Sequence, residues 1–189
     1  MRFIRQIPNI LTTSRFIAAG LLVFDALDRR ASVFFALVFI FAALTDFLDG
    51  FIARKLKLTS IRGSILDGYA DIALYGAALV SICLLFPQII RKNLSGVITL
   101  LTFQALSWGF SLVKFSRLTS YHTYLAKAWS VMLFVSLSYL FAFSKDSLLL
   151  PMFIVGGISI TEDIAITAIL PYWKTEITGF AMALRLRAR

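Results

Sequence analysis

Six apolar stretches of about 20 residues follow one another along this chain, and their length constrains the fold more than any other feature. They are Ile10–Leu27, Ala31–Arg54, Ser64–Ile90, Leu94–Phe115, Tyr121–Phe143 and Leu148–Tyr172. A helix of about 20 residues crosses the hydrocarbon core of a bilayer, where backbone polar groups must be satisfied internally. Because 59% of all residues are hydrophobic, we predict a single all-α integral membrane domain over residues 1–189, with six transmembrane helices.

The distribution of Lys and Arg predicts the orientation of this bundle. Six spans place both termini on one side of the membrane, and only five of the 19 basic residues fall on the other side. Those five are Arg29, Arg30, Arg91, Lys92 and Lys145. The positive-inside rule then predicts cytoplasmic termini, with the basic segment 1–8 as a short interfacial amphipathic helix. The net charge of +9 fits anionic lipid headgroups, and no separate basic surface supports nucleic-acid binding.

Four aspartates in two short clusters conflict with this apolar context. Asp46 and Asp49 lie near the end of the second stretch and Asp67 and Asp71 near the start of the third, so two antiparallel helices would carry them to one depth. A carboxylate at that depth is costly unless a partner offsets its charge. Helical periodicity puts each pair on one face. Three small residues on these faces leave room for a ligand: Gly50, Ala53 and Gly63.

This set of oxygen ligands indicates a hard divalent cation. Mg²⁺ and Mn²⁺ prefer carboxylate oxygens, and four carboxylates could hold two ions about 4 Å apart, as in sites that clamp a phosphate during displacement. Arg54 could add a bidentate phosphate contact or could anchor the helix end among the headgroups. Small residues alone would also fit close helix packing, but packing does not explain the carboxylates.

The stretch DFLDGFIARKLKLTSIRGSILDGYAD, residues 46–71, resembles the signature of the CDP-alcohol phosphatidyltransferase family at all eight fixed positions. Pro8–Thr12, with the sequence PNILT, is similar to the family as well. The resemblance implies a homodimer with a polar cavity at the cytoplasmic interface. It also implies transfer of a phosphatidyl group from a CDP-linked lipid, such as CDP-diacylglycerol, to an acceptor alcohol, with release of CMP.

The resemblance further implies a role for individual residues. Asp46, Asp49, Asp67 and Asp71 would be ligands of Mg²⁺ or Mn²⁺, and Asp71 would also be the general base. The residues that would contact the CDP-linked donor are Asn9, Thr12, Gly50, Ala53, Arg54, Ser60 and Gly63. His122 is the only histidine, so no paired nucleophile and histidine is evident and a direct displacement is predicted.

The acceptor is less constrained than the donor. Glycerol 3-phosphate is one possibility, although Gly68 and Ile72 stand where we associate Pro and Lys with the glycerophosphate enzymes. A phosphorylated acceptor would need further cations in the cavity. Lys127 could supply one, or could pair with Glu162 at similar depth in the last stretch. Two other candidates, which could equally be loop charges, are Lys114 and Arg117.

Two rival functions use the same aspartates. A membrane prenyltransferase also places Asp-rich motifs and Mg²⁺ over a diphosphate, but usually needs more spans and lacks the Gly-x₂-Ala-Arg element present here. A non-enzymatic cation transporter could use intramembrane carboxylates. Four acids at one cytoplasmic depth, without a clear path outward, argue against transport.

Overall fold

Helices make up all of the regular structure in the described part of the chain. The computed structural model of the protein describes residues 7–30, 33–55, 61–119, 121, 123–174 and 177–187; the side chains of 7–11, 46–55, 61–65, 67 and 68 lie outside the described part. Within these ranges the helices are α1 (Ile7–Ala26), α2 (Val33–Lys55), α3 (Ile61–Leu85), α4 (Pro87–Lys92), α5 (Leu94–Phe115), α6 (Tyr124–Phe143), α7 (Leu149–Ile169) and α8 (Phe180–Arg187). The prediction of an all-α fold is confirmed.

Two prolines explain where the helix boundaries differ from the predicted ones. The predicted interfacial segment 1–8 ends inside α1, because Pro8 occupies the first turn of that helix, where a missing N–H costs nothing. The rest of that segment, residues 1–6, lies outside the described residues. The third apolar stretch was predicted to continue to Ile90, but α3 ends at Leu85 and Pro87 begins α4. Proline inside a helix removes a hydrogen bond and clashes with the preceding turn, so the stretch is divided there.

Three of the helices are long and apolar enough to cross a membrane, judged by length and composition within the described residues: α5, α6 and α7. Shorter apolar segments lie within α2, at Val33–Thr45, and within α3, at Tyr69–Leu85. The structure therefore fits a membrane protein, while the arrangement of six spans stays a prediction.

The first of two compact units consists of α1, α2 and α3 together with Ser138–Ser144. Helix α1 packs against both α2 and α3. Several small side chains on α1 and α3 are buried, and small residues let backbones approach closely: Ala18, Ala19 and Ala26 on α1 and Ala70, Ala77 and Ala78 on α3. Further along, Ser81 Oγ donates a hydrogen bond to the carbonyl oxygen of Leu22, 3.3 Å away. This contact holds α1 and α3 in a defined register.

The second unit comprises Arg91–Leu137 and the chain from Lys145 onward. Helices α5 and α7 pack against each other, and Gly96 of α5 allows this contact, because a Cβ added there would lie 2.5 Å from the ring of Phe153 on α7. A Cβ added at Gly156 of α7 would lie 2.6 Å from the indole nitrogen of Trp129 on α6 and 3.1 Å from Leu100 on α5. Alanine at either position would therefore displace an aromatic ring.

An ion pair closes one end of this second unit. Lys92 Nζ lies 2.7 Å from Asp146 Oδ2, and Asn93 Nδ2 donates to the same oxygen at 3.2 Å. These hydrogen bonds, that from Lys92 first, lower the pKa of Asp146 below its ordinary value. A lowered folded-state pKa stabilises the fold above the unfolded-state pKa, and the contribution is lost as the pH falls through the folded-state value. The Lys92 side chain is 71% exposed, so solvent screens the pair and its contribution is small.

The C-terminal segment folds back onto the other end of the second unit. Ile177 and Ala183 are buried against Ile166 and Leu170 of the α7 end and against Tyr121, and together these residues form one apolar cluster. The backbone N–H of Tyr124 donates to Thr178, 3.3 Å away, at the start of α6. Helix α8 is therefore held against the second unit by both apolar and backbone contacts.

Candidate active site

The aspartate motif lies on two helices, as predicted. Helix α2 is continuous through Asp46 and Asp49, and α3 is continuous through Asp67 and Asp71. Spacings of three and four residues on an α-helix put the members of each pair on one face. Of the four side chains, that of Asp71 belongs to the described part of the structure; the other three lie outside it. The predicted cluster of four carboxylates therefore stays a prediction, with its backbone scaffold in place.

An aromatic contact gives the relative height of the two motif helices. The rings of Phe39 on α2 and Tyr75 on α3 meet edge to face with centroids 6.5 Å apart. With a helical rise of about 1.5 Å per residue, the backbone of the two α2 aspartates lies about 10 and 15 Å beyond Phe39. The backbone of the two α3 aspartates lies about 6 and 12 Å beyond Tyr75. The two helices run in opposite directions, so both pairs fall within a similar layer of the first unit.

Arg15 of α1 reaches this layer and contacts the fourth aspartate. Its Nη1 donates a hydrogen bond to Asp71 Oδ1 at 2.5 Å. The Arg15 side chain is wholly buried, whereas 39% of the Asp71 side chain remains exposed. Arg15 was not among the predicted site residues. Its signal was an arginine inside a predicted membrane span, a position where a charged side chain is a functional candidate.

The predicted donor-binding residues are distributed over the same unit. Thr12 is buried in α1, one turn before Arg15. On the backbone, Gly50, Ala53 and Arg54 belong to α2 and Gly63 to α3, while Asn9 lies in the first turn of α1. The side chains of Asn9, Ala53 and Arg54 lie outside the described part, as does Ser60 altogether. The structure brings these positions onto three mutually packed helices and leaves their ligand contacts as predictions.

The three acceptor candidates belong to the second unit, and Lys114 is engaged in holding that unit together. Its Nζ donates to the carbonyl oxygens of Thr167 and Ala168 at 2.9 and 2.7 Å, at the C-terminal end of α7. A cation at a helix C-terminus interacts favourably with the exposed carbonyl groups. The Arg117 guanidinium instead lies over the ring of Trp173. Lys127 Nζ lies over the ring of Tyr124, and both basic side chains are exposed.

Glu162 does not pair with Lys127, so that predicted alternative is wrong for these described residues. One oxygen of Glu162, Oε1, accepts a hydrogen bond from the backbone N–H of Phe180 at 3.3 Å. This N–H is in the first turn of α8, where unsatisfied donors and the helix dipole favour a negative charge. The C-terminal segment folds back and brings Phe180 to Glu162. The sequence did not predict this contact.

We expect Lys114→Met to lower the stability of the protein by about 1 kcal/mol, because the change removes two charge-assisted hydrogen bonds at a partly exposed site. Thermal unfolding of the detergent-solubilised protein measures this. Arg117→Met is the matched control, since its guanidinium stacks on a ring without such bonds, and should change stability less. An unchanged melting temperature in Lys114→Met with a raised KM for a phosphorylated acceptor would contradict the structural role.

The donor set around the motif fits a divalent cation. The four candidate ligands are carboxylates, the hard oxygen donors that Mg²⁺ and Mn²⁺ select, and their backbones belong to helices rather than loops. Of these four, the described Asp71 side chain pairs with Arg15 and keeps 39% of its surface exposed. The residues that would hold the ions are Asp46, Asp49, Asp67 and Asp71.

The fold and the motif together define a helical membrane protein that carries aspartate pairs on two adjoining helices. A family model described as CDP-alcohol phosphatidyltransferase matches residues 5–177, most of the chain. The chain belongs to this family of enzymes, which confirms the resemblance found in the motif. No solved structure matches the chain.

Several curated relatives match part of the chain. The CDP-diacylglycerol–glycerol-3-phosphate 3-phosphatidyltransferase of Cereibacter sphaeroides is 49% identical over 80 residues, which cover 41% of this chain and 36% of the relative. The enzyme of the same name from Rickettsia bellii is 37% identical over 82 residues, 42% of this chain and 45% of the relative. A cardiolipin synthase (CMP-forming) / mitochondrial hydrolase fusion protein of Schizosaccharomyces pombe is 36% identical over 95 residues, which cover 49% of this chain and 15% of the relative. The chain spans less than half the length of these relatives.

Proposed function

We propose that the protein transfers a phosphatidyl group from a CDP-linked lipid to the hydroxyl group of an acceptor alcohol and releases CMP, in phospholipid biosynthesis. The observation that carries this proposal is the family match over residues 5–177, combined with an intact motif on two continuous helices. CDP-diacylglycerol is the proposed donor. The proposal includes dependence on Mg²⁺ or Mn²⁺, with two ions held by the four aspartates.

The chain's own residues account for the steps of a direct displacement. The bound divalent ions would supply electrostatic stabilisation of charge on the diphosphate. Arg54 would bind a phosphate oxygen through its guanidinium, and the small residues Gly50 and Ala53 would let the nucleotide approach α2. Asp71 would take the proton of the acceptor hydroxyl. The hydroxyl oxygen would then form a bond to the lipid-linked phosphorus, while the bond from that phosphorus to CMP breaks.

Glycerol 3-phosphate is the proposed acceptor. Relatives from Cereibacter sphaeroides and Rickettsia bellii carry this compound in their names, and that similarity outweighs the unusual Gly68 and Ile72 beside the motif. A dianionic acceptor needs cations, and the proposed ones are Arg117 and Lys127, whose side chains are exposed. Lys114 is a weaker candidate, because two of its three N–H donors are already bound to α7.

The membrane arrangement is proposed on the same basis. Six long helices, of which α5, α6 and α7 satisfy the length and composition of a span, would cross the bilayer with both termini and the aspartate motif on the cytoplasmic side. The excess of Lys and Arg on that side supports this orientation. We further propose that the enzyme is a homodimer in a cellular membrane, as the family resemblance implies.

The decisive experiment measures CMP release by the purified, detergent-solubilised chain with CDP-diacylglycerol and a panel of alcohols. We expect release with Mn²⁺ or Mg²⁺, and glycerol 3-phosphate to give the highest kcat/KM. Phosphatidylglycerol is the informative competitor, because one relative is named a cardiolipin synthase. Consumption of an isoprenoid diphosphate, or metal flux into proteoliposomes without CMP release, would instead support the prenyltransferase or the transporter and contradict the proposal.

A further inference from the structure

We propose that Arg15 is a positioning residue for Asp71, and that it acts by holding the Asp71 carboxylate in one orientation toward the reacting centre. The inference rests on the proposed function, because it assigns Asp71 to the chemistry. It concerns a residue of α1, outside the motif on α2 and α3. Two described observations carry it: the hydrogen bond between these side chains and their unequal burial.

The hydrogen bond from Arg15 limits the orientations that the Asp71 carboxylate can adopt. Arg15 Nη1 binds Asp71 Oδ1, and a hydrogen bond to one oxygen restricts rotation of the carboxylate about its last torsion. The Asp71 side chain nevertheless keeps 39% of its surface exposed, so the pair does not close the carboxylate off from a ligand. A group that binds metal or takes a proton gains from this arrangement, because it is held in one orientation before substrate arrives.

The position of Arg15 is itself fixed by helix packing. The side chain is wholly buried, and it bonds to Asp71 across the contact between α1 and α3. The bond from Ser81 to the Leu22 carbonyl fixes the register of α1 and α3 further along the same interface. Arg15 therefore approaches Asp71 from a rigid element, as a precise supporting contact requires.

A role limited to stability does not account for this pair as well. Buried ion pairs are often no more stabilising than apolar residues of similar size, so stabilisation alone is a weak reason for this one. A buried arginine at membrane depth is costly without a partner, and the pair with Asp71 offsets part of that cost. A pair of apolar residues could not hold a carboxylate in one orientation. Partners that orient a ligating group typically change metal affinity or activity by about 10- to 100-fold when removed.

The test compares Arg15→Ala and Arg15→Lys with the wild-type full-length chain. We expect Arg15→Ala to lower kcat for CMP release by about 10- to 100-fold and to weaken Mn²⁺ binding, measured by electron paramagnetic resonance, by about tenfold. The KM for glycerol 3-phosphate should change less than about twofold, because positioning acts on the reacting centre. Added guanidinium ion should recover part of the lost kcat in Arg15→Ala and none in Arg15→Lys.

Several outcomes would overturn the proposal. One is wild-type kcat and Mn²⁺ affinity in a folded Arg15→Ala protein; another is a raised KM with unchanged kcat, which would make Arg15 a substrate-binding charge. If Arg15→Ala does not fold, Arg15→Lys decides: it keeps the charge but misplaces the donor, so wild-type kcat and Mn²⁺ affinity would refute the role. Arg91→Gln, an exposed arginine of α4, is the matched control and should leave all values unchanged.

Failure of the proposed function is distinguishable from failure of this inference. A wild-type protein that binds Mn²⁺ but releases no CMP would refute the transferase activity. The Arg15 assignment would then be decided by the Mn²⁺ dissociation constants of the same variants. Equal constants for wild type, Arg15→Ala and Arg15→Lys would refute it independently of any turnover.

Discussion

Replacing Asp71 with asparagine should lower CMP release by about 10²- to 10⁴-fold, the range attributed to loss of a general base. Asparagine has nearly the same shape as aspartate, and its carbonyl oxygen can still accept the hydrogen bond from Arg15. The α1–α3 contact should therefore survive, and the protein should insert and unfold much as the wild type does. The measurement is kcat for CMP release from CDP-diacylglycerol at saturating acceptor, beside a thermal unfolding curve.

The matched control for this change is Asp28→Asn. Asp28 is exposed between α1 and α2 and accepts a hydrogen bond from the backbone N–H of Arg30 at 2.8 Å, away from the motif. The Asp28→Asn protein should keep the wild-type kcat. Wild-type turnover in a correctly folded Asp71→Asn protein would remove Asp71 from the role of base, and another motif aspartate would have to be tested in its place.

The helices were predictable because the signal for each one is local. A run of about 20 apolar residues has few structural alternatives in a membrane, and the six predicted stretches correspond to the six long helices. The third stretch is divided at Pro87. The prediction missed this division because it followed the apolar composition. The return of the C-terminal segment was not predicted, because residues 177–187 form a short helix whose apolar partners, such as Ile166, come from an earlier part of the chain.

The site was predictable only where residues of one type recur at helical spacing along the sequence. Aspartates at spacings of three and four residues indicate a shared helical face, so the motif could be placed on α2 and α3. The contacts of single charged residues could not be deduced in this way. Arg15 meets Asp71 across 56 residues, Lys114 meets Thr167 across 53 and Glu162 meets Phe180 across 18. Each pairing depends on which helices pack together.

These three charges share one physical explanation. A charge inside or beside an apolar helix must find a partner, and here the partner is a carboxylate, a helix C-terminus or a helix N-terminus. Lys114 and Glu162 are bound to backbone groups that have no other partner within their own helices, which makes a structural role sufficient for them. Arg15 is bound to a side chain that belongs to the motif. The nature of the partner therefore separates the functional charge from the structural ones.

Removal of divalent cations should abolish CMP release, with a fall of at least about 10³-fold, because the proposed ions would stabilise charge on the diphosphate by several kcal/mol. The purified protein would be treated with EDTA, desalted, and assayed with and without added Mg²⁺ or Mn²⁺. Either ion should restore activity, whereas the larger Ca²⁺, which favours more ligands and longer bonds, should restore little.

The same experiment separates a catalytic metal from a structural one. If the ions only held α2 and α3 together, chelation would lower the melting temperature. Any divalent ion that brought the melting temperature back would then also bring back activity. For a catalytic metal, we expect turnover to disappear while most of the structure remains, because α1 packs on both helices through apolar contacts that need no ion. Full activity in a protein shown by elemental analysis to be free of divalent metal would contradict the metal-dependent mechanism, and the four aspartates would then require a different explanation.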